Sequence, residues 1–195
     1  MLTRTELKRK PVDRCQMNEL SCRSDTADQG CIVYADYDGV LHDDDVVWSR
    51  RRGIHMRTPG RFLFEWSPIL EELLLPHPEV KIVLSTSWVR VKSFDFAKKQ
   101  LSAELQNRVV GATFHRRHMS KFEFDNQSRG AQILSDVRRR CPLSWFAIDN
   151  DDDAWPAHFR HHLIKTDDRS GLCDPEVQAA IRERLAALAT LSEVR

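Results

Sequence analysis

Two aspartates separated by one residue, Asp36 and Asp38, directly follow the apolar run 31–35. Because residues i and i+2 of an extended chain point the same way, both carboxylates can face one phosphoryl group and one metal ion. An uninterrupted apolar run is typical of a strand covered on both faces, and parallel sheets bind ligands beyond the carboxyl ends of their strands. The pair therefore predicts phosphoryl-transfer chemistry at the end of a buried strand.

The segment Asp-Tyr-Asp-Gly also has two simpler interpretations. Asp and Gly are common turn residues, so the segment alone is also compatible with an ordinary turn. It resembles the start of a calcium-binding loop as well, but such a loop needs a bidentate Glu at its twelfth position. Counted from Asp36, that position holds Val47, which excludes the calcium loop.

Further chemically capable residues follow at regular places along the chain. Ser85 and Thr86 come directly after the apolar run 80–84, and Asp149 comes after the apolar run 143–148. Between them, Arg129 opens a segment whose apolar residues recur at helical spacing. Strands that alternate with helices indicate an α/β fold with a parallel sheet, which brings strand ends to a common edge.

In this order, the residues resemble the four motifs of the haloacid dehalogenase (HAD) superfamily of phosphatases. The chain is most similar to the HAD domain of Swiss Army Knife RNA repair proteins, over about residues 31–190. The segments that carry the resemblance are 36–41, 84–88, 108–113, 129–130, 147–149 and 166–172. The resemblance implies a three-layer α/β Rossmannoid fold with a parallel central sheet and little or no cap.

The resemblance also implies catalytic roles for the first motif. Asp36 matches the nucleophile that forms an aspartyl-phosphate, and Asp38 matches the general acid that protonates the leaving oxygen and later helps to activate water. The expected reaction is magnesium-dependent hydrolysis of a phosphomonoester. A small cap would leave the site open, so nucleic-acid ends or other large phosphorylated substrates are candidates.

Phosphate-binding roles are implied for the next two motifs. The hydroxyl of Ser85 or of Thr86 would hydrogen-bond the phosphoryl oxygens, and the sequence does not choose between them. Arg129 matches the cation that neutralises those oxygens, with Lys121 as the alternative.

A magnesium site is implied at the same place. Asp36, the main-chain carbonyl of Asp38, and Asp149 would supply its ligands, because hard oxygen ligands suit Mg²⁺. Asn150 is a further candidate ligand; it stands where many relatives have a second Asp.

Composition adds few constraints. The 195 residues fit one domain, with residues 1–28 expected to form a flexible extension and residues 29–195 the phosphatase-like domain. With 30 basic and 29 acidic residues, the net charge of +1 gives no general attraction to nucleic acid. Four local basic clusters, each expected to be a solvated face, lie at 50–52, 116–118, 138–140 and 160–162.

No apolar stretch is long enough for a signal peptide or a membrane span, so we expect a cytoplasmic protein with no membrane partner.

Local patterns predict several further elements. Helices are expected over 67–75, over 94–105 and after a cap at Asp174, and a short strand is expected over 162–165.

An alternative function is a catalytically weak module that binds phosphorylated ligands without turnover; Asn150 favours it, and the Asp36 and Asp38 pair argues against it. A phosphate-accepting signalling domain is a third alternative. The sequence does not predict the oligomeric state.

Overall fold

The computed structural model describes residues 30–117 and 119–193. The predicted extension, residues 1–28, lies outside the described residues. The strands are β1 (Cys31–Ala35), β2 (Val46–Ser49), β3 (Gly53–Met56), β4 (Lys81–Leu84), β5 (Val109–Ala112), β6 (Ser144–Asp149) and β7 (Leu163–Lys165). The α-helices are α1 (Ser67–Leu74), α2 (Ser87–Val91), α3 (Phe94–Lys98), α4 (Ala103–Arg108), α5 (Lys121–Asp125), α6 (Arg129–Arg140) and α7 (Pro175–Glu193). Short 3-10 helices span Ala157–His162 and Gly171–Cys173.

Five parallel strands form the central sheet, in the order β5-β4-β1-β6-β7. All five residues of β1 are buried, which explains why its sequence is apolar throughout instead of alternating. The chain first adds strands on one side of β1 and then crosses to the other side with β6. This reversal makes the end of β1 a topological switch point, where α/β sheets bind their ligands.

Helices cover both faces of the sheet, which confirms the predicted three-layer α/β fold. On one face, Tyr34, Ala147 and neighbouring strand residues pack against Ile133, Leu134 and Val137 of α6. On the other face lies a larger core, to which α1 and α7 contribute among others. Its helical members include Leu70, Leu73, Leu74, Ile181 and Leu185.

The insert after β1 is small and ordered. It contains the antiparallel hairpin of β2 and β3, in which Trp48 pairs with Ile54. This hairpin is all that the described structure has in place of a cap, in keeping with the predicted fold.

Some local predictions need correction. The helix expected over 94–105 is two helices, because the first ends at Lys98 and the hydroxyl of Ser102 caps a second one. Ser67, whose residue type suits a helix cap, lies inside α1; the capping position is Trp66 and no side chain caps that end. The predicted cap of the last helix is confirmed, because Asp174 accepts a hydrogen bond from the amide of Glu176 at the start of α7.

The basic cluster 138–140 is also more than a solvated face. Arg139 and Arg140 form ion pairs with Asp136, whose side chain is fully buried. The hydroxyl of Tyr34 donates to the same carboxylate, at 3.0 Å. These contacts supply the partners that a buried carboxylate needs. They also connect α6 with the central strand β1.

Candidate active site

The register of the sheet brings three predicted site residues to one level. Ala35 pairs with Leu84 of β4 on one side and with Ile148 of β6 on the other. The residues that follow these three are Asp36, Ser85 and Asp149. Backbone hydrogen bonds extend the pairing, since the amide of Asp36 donates to the carbonyl of Ile148 and that of Ser85 donates to Ala35. The strand ends therefore converge as the sequence predicted.

Arg129 joins two carboxylates at this edge. Its Nη2 donates to Oδ2 of Asp36 at 3.1 Å, and its Nε lies 3.2 Å from Oδ2 of Asp149 in an ion pair not aligned as a hydrogen bond. Nη1 donates to the carbonyl oxygen of Ser85. Arg129 is the first residue of α6, which Ser128 caps, and a Cβ at Gly130 would lie 2.7 Å from the ring of Pro156. The small Gly130 thus permits Pro156 to approach the first turn of α6 closely.

Burial dominates the electrostatics of this cluster. Asp36 is 4% exposed and Asp149 is fully buried. Burial raises the pKa of Asp36, and the Asp38 charge adds to this, while the Arg129 charge opposes it. Burial and the charge of Asp36 likewise hold the pKa of Asp149 well above its usual range, and Arg129 again opposes the shift. One guanidinium is too little to balance two ionised buried carboxylates, so the cluster favours a further cation.

Asp38 faces the same edge but is held differently. The indole Nε1 of Trp88 lies 3.1 Å from Oδ1 and 3.0 Å from Oδ2, and Nε2 of His42 lies 3.1 Å from Oδ1. These contacts fix the carboxylate while leaving it partly accessible, with its side chain 23% exposed. Trp88 is 4% exposed, as expected for a core residue, and it also orients the predicted general acid.

The hydrogen bonding of His42 defines its tautomer. The backbone amide of Phe64 donates to Nδ1 of His42 at 3.2 Å, so Nδ1 must carry a lone pair. The ring proton then lies on Nε2 and is donated to Asp38. Phe64 adopts a left-handed backbone conformation, with φ of 62°. A bulky residue seldom adopts this conformation, which marks the segment as constrained by its surroundings.

The turn after β1 is anchored from the far side of the site. Gly39 has φ of 70°, and a Cβ there would lie 2.5 Å from Nδ2 of Asn150. Its carbonyl oxygen accepts a hydrogen bond from the hydroxyl of buried Thr166, at 2.8 Å. The backbone therefore needs glycine at this turn both for its conformation and for space.

The two candidate phosphate-binding hydroxyls are both buried, with Ser85 unexposed and Thr86 1% exposed. Thr86 caps α2 by accepting from the amide of Trp88, and its hydrogen bond with Asp36 opposes part of the rise in pKa that burial causes in that carboxyl. The hydroxyl oxygen of Ser85 has no hydrogen-bond partner among the described residues. Thr86 is thus the hydroxyl in contact with the predicted nucleophile, and Ser85 is the one with free capacity.

The donor set at this edge fits magnesium. Oδ2 of Asp149 is buried without a hydrogen-bond partner among the described residues, although Arg129 lies near it. Carboxylates of Asp36 and Asp149 together with the Asp38 carbonyl would be oxygen ligands only, and Mg²⁺ usually takes one or two carboxylates and keeps several waters. In residues 30–117 and 119–193, no group of three or more His, Cys, Asp or Glu side chains forms a protein-only metal site.

The remaining candidates have other positions and partners. Nδ2 of Asn150 donates to Asp168 at 2.9 Å, so this side chain, predicted as a metal ligand, is turned toward the neighbouring loop. Lys121 is exposed at the start of α5, whereas Arg129 contacts Asp36. In the acidic segment 151–153, which follows β6, Asp152 forms exposed ion pairs with Arg160 and Lys165.

Comparison with known families agrees with this geometry. A sequence model described as the HAD domain in Swiss Army Knife RNA repair proteins matches residues 32–177. The chain belongs to this family. The match includes every predicted site residue, and it supports a HAD-type hydrolase on the Rossmannoid fold described above. No curated protein and no solved structure matched the chain.

Three residues that support this site carry no role in the sequence-based prediction. Trp88 and His42 hold Asp38 in place, and Thr166 holds the Gly39 carbonyl. The spacing of Asp38 and His42, four residues apart, is a weak signal for the contact between them. None of the helices in the described part of the chain has the length and apolar character that crossing a membrane requires.

Proposed function

We propose that this HAD domain is a magnesium-dependent phosphatase that hydrolyses phosphomonoesters through a phosphorylated Asp36. The observation that carries the proposal is the pairing of two differently held carboxylates at one strand end. Asp36 is buried against Arg129, and Asp38 is partly exposed and clamped by Trp88 and His42. A module that only binds phosphorylated ligands would need Arg129 beside Asp36, but it would not need Asp38 held as a proton donor.

In the first half of the reaction, an oxygen of Asp36 attacks phosphorus and the bond to the ester oxygen breaks. Protonated Asp38 gives its proton to that oxygen, so that an alcohol leaves and an acyl-phosphate remains on Asp36. The rigid hold on Asp38 contributes by fixing the direction of proton transfer, since misplaced catalytic groups lose much of their effect.

In the second half, water attacks phosphorus and the bond to Asp36 breaks. Asp38, now a carboxylate, accepts the proton from the water, and inorganic phosphate is released. Both aspartates then return to their starting forms.

Arg129 and a hydroxyl of Ser85 or Thr86 would bind the phosphoryl oxygens, because preorganised donors stabilise the charge of the transition state. Asp36, Asp149 and the Asp38 carbonyl would hold Mg²⁺, with Asn150 as a further candidate ligand. When bound, the ion would supply positive charge that neutralises the phosphoryl oxygens and keeps Asp36 ionised.

The test is phosphate release from small phosphomonoesters, measured with Mg²⁺ and after chelation. We expect turnover that requires the metal and disappears in Asp36→Asn, while Asp95→Asn, an exposed carboxylate on α3, retains full activity. Turnover that survives in Asp36→Asn would eliminate the nucleophile. Tight binding of phosphorylated ligands by the wild type without any turnover would instead support the binding module.

We further infer that the natural substrate is large, with nucleic-acid ends as one candidate. A cavity of about 610 Å³ contains none of the proposed site residues in its lining, and its basic lining residues are Arg90, Lys92, His115, Arg116, Arg117 and Arg139. Arg90 also lines the opening beside Arg129. The family description, which names RNA repair proteins, favours the same inference. Local positive charge next to an open site suits a polyanion even when the net charge is near zero.

The substrate inference is tested by comparing a phosphate-terminated oligonucleotide with a small ester. In the double variant Arg116→Ala and Arg117→Ala, we expect kcat/KM for the oligonucleotide to fall at least about tenfold, with a weaker salt dependence. The small ester should be hydrolysed as before. Equal loss for both substrates, or no loss for either, would contradict the inference.

A further inference from the structure

A second groove, distinct from the basic cavity, lies between the hairpin and α2 and reaches the site through Asp38. Its volume is about 390 Å³, within the range of small-molecule sites. Its lining is mainly apolar, with Asp38, Asp44 and Lys92 as the charged members. The central apolar members are Val46, Trp48, Ile54, Trp88 and Val91.

The hairpin builds one wall of this groove. Side chains two residues apart on a strand share a face, so Val46 and Trp48 point the same way, and the cross-strand partner Ile54 lies beside Trp48. Trp48 is 61% exposed, whereas the other four tryptophans of the chain are each 7% exposed or less. Trp48 is not a single scattered surface residue, because exposed Val91 lines the same groove, and grouped apolar surface of this kind marks a binding site.

The opposite wall carries a positive charge directed at Trp48. Nζ of Lys92 lies 5.4 Å from the centroid of the Trp48 ring. This cation–π contact orients the exposed ring and keeps its environment partly polar. Val91, 55% exposed, adds apolar surface on the same side.

Asp38 determines which part of a substrate can reach this groove. As the proposed proton donor, Asp38 must contact the oxygen of the leaving alcohol, and its carboxylate lines the groove. The part of the leaving alcohol next to its oxygen therefore enters the groove, while the phosphoryl group faces Asp36 and Arg129. A longer alcohol, such as a nucleic-acid end, would continue past Lys92, which lines both this groove and the basic cavity.

We propose that this groove is a leaving-group subsite that selects phosphomonoesters whose alcohol carries a planar aromatic ring, with Trp48 as the stacking platform. The proposal rests on the proposed phosphatase function and names its substrate class. Offset or edge-on packing of an aromatic ring against Trp48 adds selectivity beyond the burial of apolar area.

The test compares two esters with similar leaving-group acidity, 2-phenylethyl phosphate and n-propyl phosphate. We expect wild-type kcat/KM to favour the 2-phenylethyl ester by about tenfold, a factor typical of one aromatic contact. Trp48→Ala should abolish the preference, and Trp48→Leu, which keeps apolar bulk on the hairpin, should lower it strongly. Phe62→Ala, which removes another exposed aromatic side chain of the insert (69% exposed), should retain the wild-type ratio.

The outcomes separate the subsite from the phosphatase function. Hydrolysis of both esters, with the same ratio in the wild type and in Trp48→Ala, would overturn the subsite and leave the phosphatase intact. If neither ester is hydrolysed, the phosphatase proposal fails, and binding of 2-phenylethylphosphonate and n-propylphosphonate decides the subsite. Tighter binding of the aryl compound that is lost in Trp48→Ala supports it, and equal binding overturns it.

Discussion

The indole Nε1 of Trp88 lies 3.0 Å from Oδ2 of Asp38. This contact links the start of α2, next to Ser85 and Thr86, with the carboxylate that is proposed to move the proton. Tyr37 and Phe64 pack edge-on against the same indole, with ring centroids 5.7 and 5.4 Å away. The orientation of Asp38 therefore depends on a packed aromatic cluster and not on a flexible surface side chain.

Replacing Trp88 with Phe tests this orientation, because the change removes the indole N–H and keeps an aromatic ring. We expect kcat to fall about tenfold, the equivalent of one hydrogen bond, with little change in KM. Trp66→Phe, in the same core but with Arg61 and Gly171 beside its ring, is the control. Equal losses in the two variants would show that Trp88 acts through general packing only.

Replacing Asp38 with Asn tests proton transfer. We expect alkyl phosphates to lose about 10²- to 10⁴-fold in kcat, because their alkoxide leaves poorly without a proton. An ester with an acidic leaving group, such as 4-nitrophenyl phosphate, should lose much less. Hydrolysis rates for the two esters in the same variant measure the difference, and equal losses would argue against Asp38 as the acid.

Replacing Arg129 with Ala tests the choice of cation. We expect kcat to fall by about 10²- to 10³-fold, as for the loss of one charge-stabilising group in other sites. Lys121→Ala should retain activity, since Lys121 is exposed on α5. Thermal unfolding of both variants, with and without Mg²⁺, separates catalysis from stability. A larger loss in Lys121→Ala would reverse the assignment.

Replacing Asp136 with Asn tests the network beneath the site. Burial alone would raise the pKa of Asp136, but the hydrogen bond with His115 and the charges of Arg140 and Arg139 outweigh it and lower the pKa. A depressed folded-state pKa stabilises the protein above the ordinary Asp pKa of about 4, and this contribution is lost as the pH falls through the lower value. At pH 7 we expect Asn to lower the free energy of unfolding by about 2 kcal/mol.

Urea unfolding at several pH values measures this contribution. The difference between wild type and Asp136→Asn should shrink as the pH falls below about 4. Asp152→Asn is the matched control, because Asp152 also has two basic partners but is exposed, and salt and water screen such pairs. A difference that is constant with pH would show that the charge of Asp136 does not stabilise the fold.

The sequence predicts the parts of the site that follow from strand ends. Apolar runs locate the buried strands, and parallel pairing brings Asp36, Ser85 and Asp149 to one edge. Arg129 is predictable because it opens a strongly periodic helix. These inferences need only local patterns and the geometry of a parallel sheet.

The hold on Asp38 could not be predicted in this way. It requires the amide of Phe64, more than twenty residues further along the chain, to reach His42 through an unusual backbone conformation. The buried network of Asp136 could not be predicted either. Its polar helical segment is typical of a solvent-exposed helix face, and only the packing of Tyr34 from β1 against it shows that Asp136 is buried. Both contacts depend on how elements pack, which periodicity does not encode.

The central claim is that Asp36 carries the phosphoryl group, and trapping that intermediate tests it most directly. Enzyme quenched during turnover and treated with borohydride should contain homoserine at position 36, because reduction converts an aspartyl-phosphate to that residue. Peptide mapping by mass spectrometry should find the conversion only with substrate and Mg²⁺ present, and only in protein that has Asp36. Steady turnover with position 36 unmodified, or with the conversion at another aspartate, would contradict the account.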